Sequence, residues 1–286
     1  MEVIRSAAEM RAWSEQVRCG GAELCLVPTM GSLHEGHLSL AREARRRADV
    51  VAVSIYVNPT QFGPGGDYER YPRDEKRDLE LLRELGVDCA FIPKSMYPPG
   101  DSTFIEVRSK LTEVLCGSRR PGHFAGVARV VAKLFIIVAP HRAVFGLKDY
   151  QQLLVVRRLV RDLHLGVEIV AAPIVRDADG LALSSRNRYL TPEQRRQAPA
   201  LHSALRAVEA AWKAGEDSVH NLVSLGHRTL KEQAPDGRLE YLELRHPATL
   251  EGLEFVGWDG ALAALAVRFG DTRLIDNILL QHERDA

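Results

Sequence analysis

Short β-branched runs alternate with amphipathic segments through the first half of the chain, and this period is typical of α/β units. The predicted strands cover residues 23–28, 50–57, 87–92, 143–147 and 167–172. The predicted helices cover residues 36–47, 73–85, 126–138 and 149–163. Because helices separate consecutive strands, we expect the five strands to form a parallel sheet with crossover helices.

The pattern changes after residue 188. Thr191-Pro192-Glu193-Gln194 has the form of a capping box with proline at the first helical position, and it predicts a long helix to about residue 213. A helix over 219–233 and strand-like stretches over 239–245, 262–267 and 272–279 follow. We therefore divide the chain into an α/β domain, residues 1–175, and a smaller α+β domain, residues 176–286.

Composition narrows the function classes. The chain has 286 residues, with 38 Lys plus Arg against 38 Asp plus Glu, so it carries no global basic field for nucleic acid or anionic membranes. The amino terminus lacks the apolar stretch of a signal peptide, and no later stretch reaches the length of a membrane span. The four cysteines form no CxxC pair. We expect a cytoplasmic protein without nucleic-acid or membrane partners.

Four loops at the carboxyl ends of predicted strands are rich in candidate chemistry, and open α/β sheets bind ligands at this edge. The first loop is PTMGSLHEGH, residues 28–37. Gly31 and Gly36 permit a phosphate to approach the backbone at a helix start, and His34 and His37 lie beside that place. Alternatively, the two histidines bind a metal ion as a pair, or they are ordinary polar residues at the surface.

The second loop is VNPTQFG, residues 57–63. Asn58 and Gln61 offer donors and acceptors for a hydroxyl or a carboxylate without adding charge. Stabilisation of a turn is the alternative role for this pair. The charged stretch that follows, residues 68–82, is interpreted as a solvated helix face.

The third loop is GLKDYQQ, residues 146–152. Lys148 can reach a phosphate as a point charge, and Gln152 can bind a substrate oxygen. Asp149 either caps the following helix or helps to hold a metal–nucleotide. The upstream stretch RRPGHF, residues 119–124, either adds cationic groups or forms an exposed turn.

The fourth loop covers residues 175–188 and contains Ser184-Ser185-Arg186. Two hydroxyls and a guanidinium match what a departing pyrophosphate needs. A flexible linker is the alternative interpretation of a loop with glycine and paired serines.

These segments, in this order, resemble the pantothenate synthetase family of ligases, which join pantoate to β-alanine. The motifs are PTMGSLHEGH, SIYVNPTQF, RPGHFAGVARVVAKLF, FGLKDYQQL and DGLALSSRNRYL, and YLELRHPATLE and TRLIDNILL extend the resemblance towards the carboxyl terminus. The resemblance implies a Rossmann-like domain of the HIGH nucleotidyltransferase group, a carboxyl-terminal lid domain, ATP and Mg²⁺ as cosubstrate and metal, and a cytoplasmic homodimer.

The resemblance also implies residue roles. The catalytic residues would be His37, His34, Lys148 and Arg186. The ATP site would comprise Met30, Gly31, Ser32, Leu33, His34, Glu35, Gly36, His37, Gly146, Leu147, Lys148, Asp149, Val175, Leu183, Ser184, Ser185 and Arg186. Pantoate and β-alanine would be held by Gln61, Gln152 and Asn58, and Asp149 would contact magnesium through the nucleotide. Leu147 and Leu183 depart from the residues that many members carry.

Two other functions stay open at this point. A nucleotidyltransferase of the same superfamily would transfer adenylate to another acceptor and make no amide. A catalytically silent nucleotide sensor would bind ATP through the same loops without consuming it.

Overall fold

The computed structural model describes residues 1–63 and 68–282. The chain divides into two compact units, and each is described by itself. The first unit comprises Met1–Thr112 and Arg120–Pro173, and the second comprises Glu113–Arg119 and Ile174–Ala286. Within the described ranges, no helix has both the length and the apolar character needed to span a membrane.

The first unit is built from parallel strands joined by helices. The strands are β1 (Glu2–Ile4), β2 (Leu24–Thr29), β3 (Val50–Ile55), β4 (Cys89–Phe91), β5 (Arg142–Gly146) and β6 (Glu168–Ala172). The longer helices are α1 (Ala7–Cys19), α2 (Glu35–Arg45), α3 (Glu75–Glu84), α6 (His123–Val138) and α7 (Tyr150–Asp162). Two single-turn helices lie between α3 and α6: α4 (Lys110–Glu113), at the boundary of the two units, and α5 (Cys116–Arg119), which belongs to the second unit. The strand order is β1-β4-β3-β2-β5-β6, with every pairing parallel. The α/β class predicted for this part of the chain is confirmed.

The sheet has six strands rather than the five that the pattern predicts. The additional strand β1 has only three residues and lies at the edge of the sheet beside β4, so it gives almost no periodic signal. The helix α1 is also absent from the prediction, although Ser6 and Glu9 form a capping box at its start. That box is the local signal that identifies the helix from sequence.

Helices cover both faces of this sheet, because successive strand residues point to opposite sides. On one face, α1, α6 and α7 pack through apolar side chains such as Met10, Val131 and Leu153. On the other face, α2 and α3 pack through side chains such as Leu40 and Leu82. A sheet buried on both faces leaves only its edges and the ends of its strands accessible to a ligand.

The second unit pairs helices with an antiparallel sheet. Its helices are α8 (Pro192–Gln197), α9 (Ala200–Lys213) and α10 (Val219–Gln233), and its strands are β7 (Arg238–Arg245), β8 (Ala261–Phe269) and β9 (Thr272–Leu280), paired in the order β7-β8-β9. The α+β class predicted for this part is confirmed. The prediction of a single helix to residue 213 is wrong. The helix is interrupted at Pro199, which lacks the N–H that a continuous helix would need, so α8 and α9 are separate.

Helix α6 lies unusually close to the loop after β3. A 3-10 turn at Pro59–Gln61 contacts the helix at Gly126, and a Cβ atom there would lie 2.3 Å from the carbonyl oxygen of Thr60. The Asn58 side chain donates to the carbonyl of Gly126 at 3.1 Å. The absence of a side chain at Gly126 therefore sets the position of the second candidate loop.

Replacing Gly126 by alanine tests this close approach. Glycine to alanine inside a helix ordinarily stabilises by about 0.5–1 kcal/mol, whereas overpacking costs about 1–3 kcal/mol. We expect Gly126→Ala to lower the free energy of unfolding in urea. Gly166→Ala is the matched control, because a Cβ there meets nothing within 4 Å. A Gly126→Ala protein as stable as the wild type would contradict the packing.

Candidate active site

The candidate site lies where the strand order reverses. From β2 the chain proceeds outward through β3 and β4, and it later returns to the opposite side of β2 as β5. Crossover connections leave the carboxyl ends of β2 and β5 in opposite directions, which opens a crevice at such a point. The first candidate loop follows β2 and the third follows β5, so the topology brings them to one crevice.

The first loop makes a left-handed turn before helix α2. Gly31 has φ +77° and Ser32 has φ +51°. The backbone N–H groups of Ser32 and Leu33 donate to the two carboxylate oxygens of Asp78 at 2.8 and 2.7 Å. Those two amides are therefore engaged by a protein carboxylate, and the expected backbone contact with phosphate has to use other donors.

Asp78 is a functional candidate that the sequence pattern does not predict. The interpretation of residues 68–82 as a solvated face is wrong at this position, because Asp78 is only 2% exposed. Its partners lie about 45 residues earlier in the chain. The available signal is a carboxylate one residue before the apolar Leu79 on an otherwise charged helix, and that signal is weak.

The imidazole rings of the two histidines in the first loop are in contact. His34 is the N-cap of α2, where its Nδ1 accepts from the N–H of Gly36 at 3.2 Å. The ring centroids of His34 and His37 lie 4.1 Å apart. Burial chiefly, and then repulsion by His34 and Lys148, lowers the pKa of His37 to about 3. The imidazole of His37 is therefore neutral at physiological pH and can donate one N–H without adding a charge.

Two buried polar atoms of this loop have no hydrogen-bond partner within residues 1–63 and 68–282: Ser32 Oγ and His37 Nδ1. Leaving a buried polar atom unsatisfied costs about 1–3 kcal/mol. Such atoms are uncommon in folded proteins, and a bound water, ion or ligand can supply the missing partner. Both atoms belong to the loop that the sequence pattern assigns to the nucleotide.

The second loop reaches the first through Gln61. Its Nε2 donates to the Met30 sulfur at 2.9 Å, and its Oε1 accepts from Asn58 at 3.0 Å. A thioether is a weak acceptor, so a hydroxyl or carboxylate oxygen would bind the Gln61 amide more strongly. Gln61 thus combines a fixed position with an exchangeable hydrogen bond, as a substrate-binding residue requires.

Asn58 is only 1% exposed, and its amide is fully engaged by the protein. Its Nδ2 donates to Gln61 and to the carbonyl of Gly126, while its Oδ1 accepts from Thr60 and from the Tyr97 hydroxyl. These contacts match the turn-stabilising alternative, and they orient Gln61. Direct contact of Asn58 with substrate stays a prediction.

Two residues of the RRPGHF stretch also support Gln61. Its carbonyl oxygen is contacted by the His123 ring nitrogen Nδ1 at 2.8 Å and by the Arg120 guanidinium at 3.3 Å. His123 is buried at the first position of α6. This stretch therefore fixes the backbone of the second loop, and the exposed-turn alternative is wrong at His123.

The third loop forms a 3-10 turn, Leu147–Asp149, before helix α7. Lys148 is partly buried, and Asp149 lies 3.8 Å from its ammonium with a side chain that is 49% exposed. Asp149 occupies the N-cap position of α7, but its side chain makes no capping hydrogen bond. The capping role is therefore wrong, and the carboxylate stays available to a metal–nucleotide. Gln152 is partly buried in the first turn of α7.

Among the described residues, no group of three or more His, Cys, Asp or Glu side chains is arranged to hold a metal ion. The alternative interpretation of His34 and His37 as a metal pair gains no further ligand from this arrangement. Magnesium does not require such a group, because it keeps several waters and binds through one or two carboxylates and the phosphates of a nucleotide. Asp149 fits that single-carboxylate requirement.

The fourth loop belongs to the second unit and forms an ordered hairpin. The N–H of Leu183 donates to the carbonyl of Val175 at 2.9 Å, and Arg176 pairs with Ala182 in an antiparallel bridge. Arg176 also makes two contacts, at 2.6 and 3.0 Å, with the buried carboxylate of Asp276. The flexible-linker alternative is wrong, because backbone pairing and a buried ion pair fix the base of the loop.

The tip of this hairpin carries the predicted phosphate-binding residues. Ser184 caps the 3-10 turn Ser185–Tyr189, and its Oγ accepts from the N–H of Arg186 at 3.3 Å. Ser185 is buried, and Arg186 is partly buried. The first three loops thus meet within the first unit, while the fourth is preformed within the second.

The whole chain is similar to proteins of one family. A family model described as pantoate-beta-alanine ligase matches residues 2–279. A pantothenate synthetase of Moorella thermoacetica is 52% identical over 286 residues, which cover 98% of this chain and 99% of that protein. A pantothenate synthetase of Chloroflexus aurantiacus is 53% identical over 285 residues, which cover 99% of each chain.

Solved structures give the same result. Pantothenate synthetase from Thermus thermophilus superposes with a TM-score of 0.93 at 49% identity, over 99% of this chain and 100% of that chain. Pantoate-beta-alanine ligase from Francisella tularensis, complexed with beta-gamma ATP and beta-alanine, superposes with a TM-score of 0.80 at 34% identity, over 98% of each chain.

The lowered pKa of His37 predicts a pH dependence of stability. Between the ordinary value of 6.5 and the folded value of about 3, the unfolded chain binds a proton at this imidazole while the folded chain does not. The stability associated with the neutral ring is therefore complete above pH 6.5 and is lost as the pH falls through this window. We expect the free energy of unfolding in urea to fall more steeply from about pH 7 to about pH 4 in the wild type than in His37→Gln.

Burial also lowers the pKa of His202. Its effect on the pH dependence of stability has the same direction in both proteins and cancels in the comparison. Equal pH dependence in the wild type and in His37→Gln would contradict the neutral, desolvated state of His37.

Proposed function

The chain belongs to the pantoate-beta-alanine ligase family, and from this membership we propose how its residues carry out the reaction. The enzyme is an ATP-dependent, AMP-forming ligase that condenses pantoate with β-alanine to give pantothenate. We propose that pantoyl adenylate is the intermediate and that pyrophosphate and AMP are the other products. The adenylate is required chemically, because a carboxylate is a poor acyl donor until it forms a mixed anhydride.

One observation carries this proposal. The neutral imidazole of His37 stands in the crevice loop with an unpartnered Nδ1, next to His34 and near enough to Lys148 for the ammonium to lower its pKa. Neutral donors and a fixed cation beside a helix amino terminus suit a phosphoryl group that gains charge during attack. The same loop contacts Gln61, the proposed pantoate ligand, through Met30.

In the first step, a carboxylate oxygen of pantoate attacks the α-phosphorus of ATP and the bond to the pyrophosphate oxygen breaks. Gln61 and Gln152 orient pantoate, while His34 and His37 donate to the α-phosphoryl oxygens. Lys148 offsets the negative charge that repels an incoming carboxylate, and Arg186, with Ser184 and Ser185, binds the departing pyrophosphate.

In the second step, the neutral amine of β-alanine attacks the acyl carbon of the adenylate. The amide bond forms, the acyl–oxygen bond breaks, and AMP leaves with the oxygen that pantoate supplied. Water competes with the amine for the same carbon, so the site must exclude water until the amine arrives. The lid role of the carboxyl-terminal domain, residues 176–286, stays a prediction.

Magnesium is proposed to enter with the nucleotide. Asp149 would contact the ion through its exposed carboxylate, and the ion would neutralise charge on the phosphates. A homodimer and a cytoplasmic location are proposed on the family resemblance, and the even charge balance of the chain is compatible with both.

Exchange of labelled pyrophosphate into ATP tests the first step. With ATP, magnesium and pantoate present and β-alanine omitted, we expect exchange that depends strictly on pantoate. Lys148→Ala should reduce the exchange rate by about 10²–10³-fold, the usual cost of losing a preorganised charge-stabilising group. Lys231→Ala, at an exposed position in the last turn of α10, is the matched control and should exchange like the wild type.

Each other outcome has a definite meaning. Normal exchange in Lys148→Ala removes Lys148 from the mechanism. Absence of exchange in folded wild-type protein excludes reversible adenylation of pantoate and favours a nucleotidyltransferase with another acceptor or an ATP sensor.

A further inference from the structure

Helix α3 contributes a buried carboxylate to the first loop of the site. Asp78 accepts one backbone hydrogen bond on each oxygen: Oδ2 from Ser32 at 2.8 Å and Oδ1 from Leu33 at 2.7 Å. It is only 2% exposed. Because each oxygen has its own donor, the carboxylate fixes both the position and the orientation of two consecutive peptide units.

The turn that Asp78 holds is conformationally unfavourable without support. Gly31 and Ser32 are consecutive residues in the left-handed region, and a side chain at Ser32 makes that conformation rare. The carboxylate also packs directly against the turn, since a Cβ atom on Gly31 would lie 3.0 Å from Asp78 Oδ2. Such a turn persists only where the surrounding structure fixes it.

The position of the turn determines the position of the two imidazoles. His34 follows Leu33 directly and caps α2, and the N–H of His37 donates to the carbonyl of His34 at 2.7 Å. The peptide units that Asp78 holds are therefore joined directly to His34, and a hydrogen bond joins His34 to His37. A displacement of the Ser32 and Leu33 peptides would move both rings.

The electrostatics of Asp78 distinguish it from an ordinary surface carboxylate. Burial, as the largest effect, raises its pKa, while the two backbone donors lower it. Asp74, the N-cap residue of α3, also raises the pKa of Asp78, and Arg77 on α3 lowers it. A buried carboxylate carries a desolvation cost that a neutral side chain would avoid, so its presence indicates a requirement for two strong acceptors.

We propose that Asp78 is a positioning residue for adenylate formation: it holds the Gly31–Leu33 turn so that His34 and His37 meet the α-phosphoryl group. It touches neither substrate in this role and acts through the loop. The inference rests on the proposed function of the same site.

The first test is the kinetics of pantoate-dependent pyrophosphate exchange in Asp78→Asn. Asparagine keeps the shape but places an amide donor against one backbone N–H. A misplacement of about 1 Å can cost about 10²-fold in rate, so we expect kcat for exchange to fall at least about 10-fold, with a smaller change in the KM values for pantoate and ATP. Glu80→Gln is the matched control, because it makes the same charge change at an exposed position of α3.

The second test does not depend on the reaction. The His37 imidazole should titrate near pH 3 in wild-type protein by NMR, and in Asp78→Asn its pKa should move towards 6.5 as the ring loses its desolvated position. The Glu80→Gln protein should titrate like the wild type. If Asp78→Asn does not fold, Asp78→Ser serves in both tests, since it removes both acceptors without adding an opposing amide.

A purely structural role predicts a different pattern. The variant would then melt at a lower temperature, yet kcat per folded molecule and the His37 titration would match the wild type, and this result would overturn the proposal. If wild-type protein shows no pantoate-dependent exchange, the proposed function fails, while the His37 titration still decides whether Asp78 positions the ring.

Discussion

The reversal of strand order at β2 is the constraint on which the site depends. A parallel sheet buried on both faces leaves its carboxyl edge for ligands, and the crevice opens where β3 and β5 flank β2 on opposite sides. The loops after these three strands carry His37, Gln61 and Lys148, residues that lie far apart in sequence. That topology lets the Gln61 amide donate to the Met30 sulfur and brings Lys148 close enough to His37 to help lower its pKa. The packing of helices on both faces of the sheet thus determines where the site lies, because the residues of the site follow the ends of the strands.

Charge is distributed in this crevice in a way that suits a polyanionic substrate. His37 is neutral, so the first loop carries hydrogen-bond donors without placing a second full cation next to Lys148. The carboxylate of Asp78 accepts hydrogen bonds from the backbone amides of Ser32 and Leu33, so the protein itself engages these two donors. This arrangement separates two tasks. In the proposed mechanism the buried carboxylate fixes the backbone, while the two histidines and the lysine bind the nucleotide.

Long periodic segments and the order of the loops were predictable from the sequence, because helix and strand periodicity is local. The parallel sheet and the antiparallel group followed from the periodic segments, and the family followed from the resemblance of the loop motifs. The edge strand Glu2–Ile4 was not predictable from three residues, and the break at Pro199 lay inside a pattern that is typical of one helix. Asp78 was missed for a different reason: its burial is set by contacts with residues about 45 positions away, which no local pattern records. The roles of the individual site residues rest on the resemblance and stay predictions.

In the proposed mechanism, an oxygen of pantoate becomes covalently bound to the α-phosphorus of ATP. The most direct measurement of this step is the fate of ¹⁸O when pantoate labelled in its carboxylate reacts with ATP and β-alanine. An acyl adenylate requires that each AMP carries one ¹⁸O atom and that the amide of pantothenate retains the other. Pantothenate formed together with unlabelled AMP, or with ADP and phosphate, would exclude pantoyl adenylate as the intermediate.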